Sequence, residues 1–313
     1  MSTQEVSRQR AWVMAARPQT LPAAASPVIV GIGLALGMGV FAPLPAFAAL
    51  VGALLIQIGT NFANDYYDAK SGVDTDEREG FTRVTQSGLI TASEVRWAMV
   101  CTFALSILVG VYLVYVGGLP IIIVGLASVA AGILYTGGPY PFGSYGLGDV
   151  FVFVFFGLVA VTGTYYVQAA AAVAPFPLWI PPQVMLRDAV IASLPAAALS
   201  TNILVVNNLR DRETDKKAGK RSLAVIIGYR WSRVEFLCLL GMAYAIPVVF
   251  WLTGFGVLTL APLLTLPYAA QISHTVLTRT DGQALNPALE QVGKLLAAHS
   301  VLFALGLALP EAL

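Results

Sequence analysis

The chain has 313 residues, of which 57% are hydrophobic and only 11% are charged. Soluble domains carry about 25% charged residues, so this composition excludes a soluble globular protein and indicates an integral membrane protein. The net charge of +1 gives no indication of a nucleic-acid partner or of any other highly charged one.

Nine segments are long and apolar enough to cross a bilayer as helices, since a spanning helix needs about 20 mostly apolar residues. They lack the alternation of a membrane β-barrel, so we predict an all-α polytopic bundle of about nine transmembrane helices with a cytoplasmic N-terminus. The predicted spans are 20–40, 44–63, 97–117, 119–137, 147–172, 186–207, 234–254, 256–274 and 293–310.

Basic residues test this topology, because Lys and Arg accumulate in the cytoplasmic segments of membrane proteins. With nine spans and a cytoplasmic N-terminus, all 18 Lys and Arg residues except Arg187 lie on the cytoplasmic side. Four predicted spans separate the two long polar segments, 64–96 and 208–233, so both lie on that side. We predict that residues 1–313 form one domain that contains a pseudo-repeat. Its two four-helix units cover about 20–137 and 147–274, and a ninth helix covers about 293–310.

Arg17 opens the run Arg-Pro-Gln-Thr that precedes the first predicted span. Its position suits a cytoplasmic anchor for that helix, as the general distribution of basic residues predicts. A substrate-binding role for Arg17 is the alternative, and we keep both interpretations.

The first of two acidic clusters lies at the end of the second predicted span. It contains Asn61, Asn64, Asp65 and Asp68, and it continues to Asp74. Asn64 and Asp68 are spaced i, i+4, which places them on one face of a helix, and Asn61 and Asp65 form a parallel pair.

The second acidic cluster lies at the end of the sixth predicted span. Asn207, Asp211 and Asp215 are spaced i, i+4, i+8, so they form one stripe if the helix continues through them. Asn208 lies beside that stripe.

Both clusters present oxygen donors without a nearby His or Cys, which suits a hard cation such as Mg²⁺ that also binds water and substrate phosphate oxygens. Solvated helix caps are the alternative, because Asp and Asn are common at helix ends. Two such clusters on one face favour a function, and we predict that they bind one diphosphate through Mg²⁺. The candidate metal ligands are Asp65, Asp68, Asp74, Asp211 and Asp215, and the candidate catalytic residues are Asn64, Asp68, Asn207, Asp211 and Asp215.

Basic residues follow both clusters and are candidates for binding the substrate diphosphate. Lys70 and Arg83 follow the first cluster, and Lys220 and Arg221 follow the second. Arg forks onto phosphate oxygens, whereas Lys supplies a point charge. The alternative is the general cytoplasmic enrichment of basic residues, which accounts for most of the other Lys and Arg.

The predicted connection 138–146 is rich in Gly and Pro and carries no basic residue. Asp149, which opens the next predicted span, either caps the N-terminus of that helix or faces the substrate cavity. Tyr135, Tyr140 and Tyr145 are candidates for lining a pocket for an aromatic substrate or a carbocation. Tyr135, Asp149 and Asn208 therefore join the candidate substrate-binding residues.

These motifs resemble those of the UbiA superfamily of intramembrane aromatic prenyltransferases, and most closely its menaquinone branch. The resemblance covers nearly the whole chain. The superfamily places an Asp four residues after Asp68, where this chain has Gly72, and the form Gly-x-Asp74-Thr is typical of the menaquinone branch. The matching pieces are Arg17-Pro-Gln-Thr, Asn64-Asp-Tyr-Tyr-Asp68, Arg83-Val-Thr-Gln-Ser-Gly88, Leu134-Tyr-Thr-Gly-Gly-Pro139, Gly146-Leu-Gly-Asp149, Asn207-Asn-Leu-Arg-Asp211, Gly219-Lys-Arg221 and Leu285-Asn286.

The resemblance implies a Mg²⁺-dependent polyprenyltransferase in the inner membrane of a bacterial or archaeal cell, with its active site facing the cytoplasm. It would transfer a polyprenyl group from polyprenyl diphosphate to 1,4-dihydroxy-2-naphthoate with loss of the ring carboxylate, giving demethylmenaquinol and diphosphate. The metal and basic residues would stabilise the leaving diphosphate, and the helices would shield the allylic cation from water. The polyprenyl tail would leave sideways into the lipid bilayer.

Two other functions remain open from the residues themselves. The predicted diphosphate site does not distinguish dihydroxynaphthoate from other aromatic acceptors such as 4-hydroxybenzoate or homogentisate. An ion-coupled membrane transporter is an alternative of another class. Transporters place ionisable groups near the bilayer midplane, whereas nearly every acid of this chain lies at a helix end on one predicted face, which favours the enzyme.

Overall fold

The computed structural model describes residues 6–71, 84–173 and 175–309, and all regular structure in these ranges is helical. The predicted all-α class is confirmed. The α-helices are α1 (Arg8–Ala16), α2 (Leu21–Gly37), α3 (Pro43–Ser71), α4 (Ala92–Leu134), α5 (Gly148–Phe153), α6 (Ala160–Ala171), α7 (Arg187–Lys217), α8 (Leu223–Leu252), α9 (Leu266–Thr278) and α10 (Gly282–Ala308). A π-helical turn, Val154–Val159, joins α5 to α6.

Seven helical stretches of the described residues are long and apolar enough to cross a membrane. The predicted count of nine is therefore not confirmed. One reason is that α4 covers two predicted spans, 97–117 and 119–137, in a single stretch of 43 residues. Another is that the predicted span 256–274 begins as the 3-10 helix Val257–Thr265 and continues into the short α9.

The helix α4 is interrupted at Gly118, where φ is 64° and ψ is −150°. Glycine tolerates this positive φ, and a Cβ at this position would lie 1.8 Å from the carbonyl oxygen of Pro177. That oxygen accepts a hydrogen bond from the Leu119 amide (3.0 Å), and the Gly117 carbonyl accepts one from the Tyr166 hydroxyl (2.8 Å). The interruption is therefore stabilised by hydrogen bonds between α4 and residues outside this helix.

The chain reverses direction at this interruption. A Cβ built on Gly132 would lie 3.6 Å from the Phe103 ring, and the same ring lies 3.0 Å from a Cβ built on Gly59 of α3. A straight helix, rising 1.5 Å per residue, would separate positions 103 and 132 by about 43 Å. The two arms of α4 thus pack side by side against α3, and the predicted boundary between spans 97–117 and 119–137 falls on the reversal.

The centre of the bundle is formed by α7, which packs against α8 and α10, while α10 packs against α2. The α2–α10 contact is close, because a Cβ on Gly33 would lie 2.5 Å from the Ala304 carbonyl oxygen. These contacts fix the positions of α7 and α10. Polar residues at the ends of α3, α7 and α10 carry the candidate site.

Candidate functional site

The two acidic clusters lie at one end of the bundle, on either side of the connection between α4 and α5. The Thr136 hydroxyl of this connection donates to Asn64 Oδ1 at the end of α3 (2.9 Å). At the start of α5, Asp149 Oδ2 accepts from Asn208 Nδ2 of α7, at 3.4 Å. The prediction that both clusters share one face of the bundle is confirmed.

The second cluster forms the predicted stripe. Helix α7 continues past the predicted boundary at residue 207 to Lys217, so Asn207, Asp211 and Asp215 lie on one face of it. The first two are in contact, because Asn207 Nδ2 donates to Asp211 Oδ2 at 3.4 Å.

Arg210 belongs to this cluster, although it was not among the predicted site residues. Its Nε and Nη2 donate to the two carboxylate oxygens of Asp211, both at 2.7 Å, and its Nη2 also donates to Asn207 Oδ1 at 2.8 Å. Nη1 donates to Oδ1 of Asn286 in α10, at 2.8 Å. The Asn286 signal was present in the sequence, in the Leu285-Asn286 motif, but nothing there linked it to Arg210.

Asp215 ends the stripe and pairs with Lys220 of the following turn. Lys220 Nζ lies 3.4 Å from Asp215 Oδ1, and the Lys220 amide donates to the Asp215 carbonyl (2.9 Å). The Arg221 amide donates to the Ser144 carbonyl of the α4–α5 connection (3.0 Å), although the residue itself is exposed. Both predicted basic residues after α7 thus lie at the site.

Tyr135 stands among carboxylates from three helices. Burial, and then the negative charges of Asp149, Asp68 and Asp215, raise the pKa of the Tyr135 phenol. A Cβ on Gly148, the residue before Asp149, would lie 3.3 Å from the Tyr135 hydroxyl. The phenol therefore remains protonated and can donate a hydrogen bond between the two clusters.

The other two tyrosines of this connection do not line an enclosed pocket. Tyr140 and Tyr145 are 71% and 50% exposed and pack against each other, with ring centroids 5.8 Å apart. The prediction that they line the pocket with Tyr135 is wrong, because the turn between Gly138 and Gly146 directs them outward.

Asp149 faces the interior of the site. The residue is 4% exposed, and its carboxylate accepts a hydrogen bond from the Asn208 amide of α7. No side-chain hydrogen bond caps the N-terminus of α5 at Leu147. The structure therefore favours the cavity interpretation of Asp149 over the helix-cap interpretation.

In the first cluster, Asn64, Asp65 and Asp68 differ in their surroundings. Asp65 is 2% exposed, and its Oδ2 accepts from the amide and hydroxyl of Thr85, at 3.2 and 2.7 Å. Asp65 thus anchors the segment before α4, which the sequence did not indicate.

Asp68 is half-buried and Lys70 is exposed. The candidates Asp74 and Arg83, and the position Gly72, lie outside the described residues.

Arg17 has a left-handed backbone conformation, with φ at 51°, which is uncommon for a residue with a side chain. Its carbonyl accepts from the Thr20 amide and hydroxyl, both at 2.9 Å. The Thr20 hydroxyl in turn accepts from Gln57 and Asn61 of α3, at 3.0 and 2.9 Å. Asn61, which lies on α3 at the predicted i, i+4 spacing from Asp65, therefore also holds the Arg17 segment through Thr20.

The donor set fits Mg²⁺ bound together with a phosphate substrate. Within the described ranges, no three His, Cys, Asp or Glu side chains stand close enough to form a complete metal site. However, Asp149 Oδ1 and Asp215 Oδ2 are buried and have no hydrogen-bond partner among the described residues. Mg²⁺ takes one or two carboxylates and completes its shell with water and substrate phosphate oxygens, so such open acceptors suit it.

Comparison with known proteins agrees with this chemistry. A model described as "UbiA prenyltransferase family" matches residues 24–300. The chain is 36% identical to the 1,4-dihydroxy-2-naphthoate octaprenyltransferase of Escherichia coli (strain K12), over 99% of both chains. It is 37% identical to the protein of that name from Mycobacterium tuberculosis (strain ATCC 25618 / H37Rv), over 90% of this chain and 91% of that one.

A solved structure has the same fold. It is a UbiA homolog from Archaeoglobus fulgidus bound to GPP and Mg²⁺, which superposes with a TM-score of 0.61 over 94% of this chain and 99% of that one, at 17% identity. This likeness supports the membrane bundle described above.

Proposed function

Because the chain belongs to the UbiA prenyltransferase family, we propose that it transfers a polyprenyl group from polyprenyl diphosphate to 1,4-dihydroxy-2-naphthoate. The ring carboxylate is lost, and the products are demethylmenaquinol and diphosphate, as in menaquinone biosynthesis. The observation that carries the proposal is the 36% identity, over nearly the full length of both chains, to a relative named for this activity.

The diphosphate is held between the two acidic clusters. Asp68, Asp211 and Asp215 are the ligands that would hold Mg²⁺, with Asn64 and Asn207 beside them. Asp65, whose Oδ2 accepts from Thr85, and Asp74 are further candidate ligands. When bound, Mg²⁺ neutralises charge on the leaving diphosphate.

Basic residues surround the same diphosphate. Lys220 is the best placed, because it already lies 3.4 Å from Asp215 and its side chain is 25% exposed, so it can turn from the carboxylate to a phosphate. Arg221 and Lys70, which are both exposed, add positive charge at the mouth of the site, and Arg83 is a further candidate. Arg17 binds an anionic group of a substrate, and the hydrogen bonds from Thr20 to its carbonyl hold its left-handed backbone in place for that role.

Tyr135, Asp149 and Asn208 form the part of the site that contacts the aromatic acceptor. The protonated Tyr135 donates to an acceptor oxygen, and Asp149 accepts from a hydroxyl of the naphthoate. Asn208 keeps Asp149 in position. The allylic C–O bond ionises, a ring carbon attacks the allylic carbon, and the displaced ring carboxylate leaves as carbon dioxide. The surrounding helices exclude water that would otherwise capture the cation.

The chain is an integral membrane protein, and we propose that this face of the bundle is cytoplasmic in a bacterial inner membrane. The basic residues after α7 support that orientation, since Lys220 and Arg221 lie on the same face as the site. The prenyl tail extends from there between the helices and into lipid.

An acceptor competition assay tests the proposal. Membranes containing the protein are supplied with farnesyl diphosphate, Mg²⁺ and equal amounts of radiolabelled dihydroxynaphthoate and 4-hydroxybenzoate. We expect prenylated naphthoate as the main product, with release of labelled carbon dioxide when the carboxylate carries the label. Prenylation of 4-hydroxybenzoate alone would contradict the assigned acceptor, and ion flux in liposomes without any prenylated product would contradict the enzyme.

A further inference from the structure

We propose that Arg210 is a positioning residue that fixes the orientation of Asp211 and Asn207, and that Asn286 of α10 holds Arg210 in place. The proposal rests on the proposed function, since the orientation matters for binding a diphosphate and its cation. Neither residue is among the candidate metal ligands or the basic residues assigned to the diphosphate.

The contact between Arg210 and Asp211 is a two-pronged ion pair. Nε and Nη2 donate to separate oxygens of the carboxylate, each at 2.7 Å, and the two side chains are only 1% and 5% exposed. Such forked pairs fix the plane of the carboxylate as well as its distance. Asp211 therefore cannot rotate freely in this structure.

The guanidinium also fixes the amide of Asn207. Nη2 donates to Asn207 Oδ1 at 2.8 Å, which leaves the Asn207 amino group directed at Asp211 Oδ2, 3.4 Å away. One guanidinium thus orients two of the three groups on the α7 stripe. A carboxylate has about four acceptor positions, so Asp211 retains about one for a cation after accepting the Arg210 pair and the Asn207 amide.

Asn286 connects this arrangement to a second helix. Arg210 Nη1 donates to Asn286 Oδ1 at 2.8 Å, and α10 packs along α7. The remaining side of the guanidinium is therefore held from α10. Because α10 supplies no carboxylate to the site, its contribution is the position of Arg210.

A lysine cannot replace Arg210 in this role. Its ammonium is a single point charge, whereas the planar guanidinium presents donors to Asp211, Asn207 and Asn286 in fixed directions. Loss of an outer-shell partner of a metal ligand typically costs about 10–100-fold in metal affinity. R210K should show a loss in that range although its charge is unchanged.

The experiment compares R210K with R212K, a matched substitution on the same helix. Arg212 contacts the Ala224 carbonyl and stacks on Tyr229, away from the stripe, so R212K should behave as wild type. The readout is the Mg²⁺ concentration that gives half-maximal binding of a non-reactive farnesyl thiolodiphosphate to the purified full-length protein. We expect R210K to raise this concentration about 10–100-fold.

A second pair of variants keeps the proposal testable if R210K folds poorly. N286A removes the acceptor for Arg210 Nη1, whereas N286D keeps an oxygen at that position. N286A should raise the half-maximal Mg²⁺ concentration by several fold, and N286D should remain near wild type. A purely structural role would instead lower the melting temperature of N286A without moving its Mg²⁺ titration.

The results separate the two proposals. If the wild-type protein binds the thiolodiphosphate without any Mg²⁺ dependence, the proposed diphosphate site itself is wrong. If the wild type shows that dependence and R210K and N286A titrate as R212K does, the site stands and the positioning role of Arg210 is overturned.

Discussion

Lys220 and Asp215 form an ion pair across the turn that ends α7, with Nζ and Oδ1 3.4 Å apart, while the second carboxylate oxygen is buried without a hydrogen-bond partner among the described residues. Asp215 therefore has one oxygen committed to a cation and one open. A cationic cofactor can bind the open oxygen, and a phosphate can draw Lys220 away from the other. The pair is therefore suited to a diphosphate that binds together with a cation.

Substitution of Lys220 should weaken binding of the prenyl diphosphate. A hydrogen bond to a charged group contributes roughly 1.5–3 kcal/mol, and the partial exposure of Lys220 places it at the lower end, which corresponds to an increase of about tenfold in KM. K220Q tests this in a steady-state assay with varied prenyl diphosphate. K216Q is the control, because Lys216 is exposed on the same turn. Equal KM values for the two variants would contradict the assignment.

Asp68→Ala and Asp211→Ala should each abolish turnover while the protein remains inserted in the membrane. Removing one electrostatic group that stabilises developing charge lowers the rate about 10²–10³-fold, so we expect turnover to fall by about 100-fold or more. Product is measured by chromatography, and the quantity of folded protein by size exclusion in detergent. Activity close to that of wild type in either variant would refute the role of that residue.

Chelation should inactivate the protein reversibly. The site offers oxygen donors, so activity lost to EDTA should return when Mg²⁺ is added in excess. The check is product formation before chelation, after it and after readdition. Activity that survives exhaustive chelation would show that the acidic clusters work without a divalent ion.

Tyr135→Phe should lower kcat/KM about fivefold, the equivalent of one hydrogen bond of about 1 kcal/mol. Because burial and three carboxylates raise the pKa of Tyr135 above its ordinary value of 10.0, the phenol keeps its proton as the pH rises to 10. The wild-type and Phe profiles of kcat/KM against pH should therefore run parallel from pH 7 to 10. A fall in the wild type that is missing in Tyr135→Phe would mean that Tyr135 ionises in this range.

Gly118→Ala should destabilise the fold. The positive φ alone costs about 1–3 kcal/mol for a residue with a side chain, and the new Cβ would overlap the Pro177 carbonyl. Gly125→Ala on the same helix is the control, since its Cβ would meet no atom within 4 Å. The melting temperature in detergent should fall for Gly118→Ala and stay near wild type for Gly125→Ala.

The sequence predicted the elements of the site that depend on local spacing. Asn207, Asp211 and Asp215 could be placed on one face because helical geometry fixes the relation of residues four apart. The shared face of the two clusters followed from the number of apolar segments between them. The predicted boundary between residues 117 and 119 fell on the reversal of α4 because Gly-Gly-Leu-Pro interrupts the apolar run.

Contacts between distant segments could not be predicted in this way. Arg210 and Asn286 are far apart along the chain, and no periodicity relates them. The hydrogen bonds of Asp65 to Thr85, and the outward direction of Tyr140, depend on how connections fold over the helix ends. The 3-10 conformation of Val257–Thr265 was missed because an apolar run predicts membrane burial better than it predicts the type of helix.

The bond between Arg210 and Asn286 also sets an order of events during synthesis. All carboxylates proposed for the diphosphate site precede residue 216, yet the group that orients Asp211 is completed only when the ribosome has made α10. The arrangement around Asp211 therefore depends on a partner 76 residues further along the chain, in a helix that contributes no carboxylate to the site.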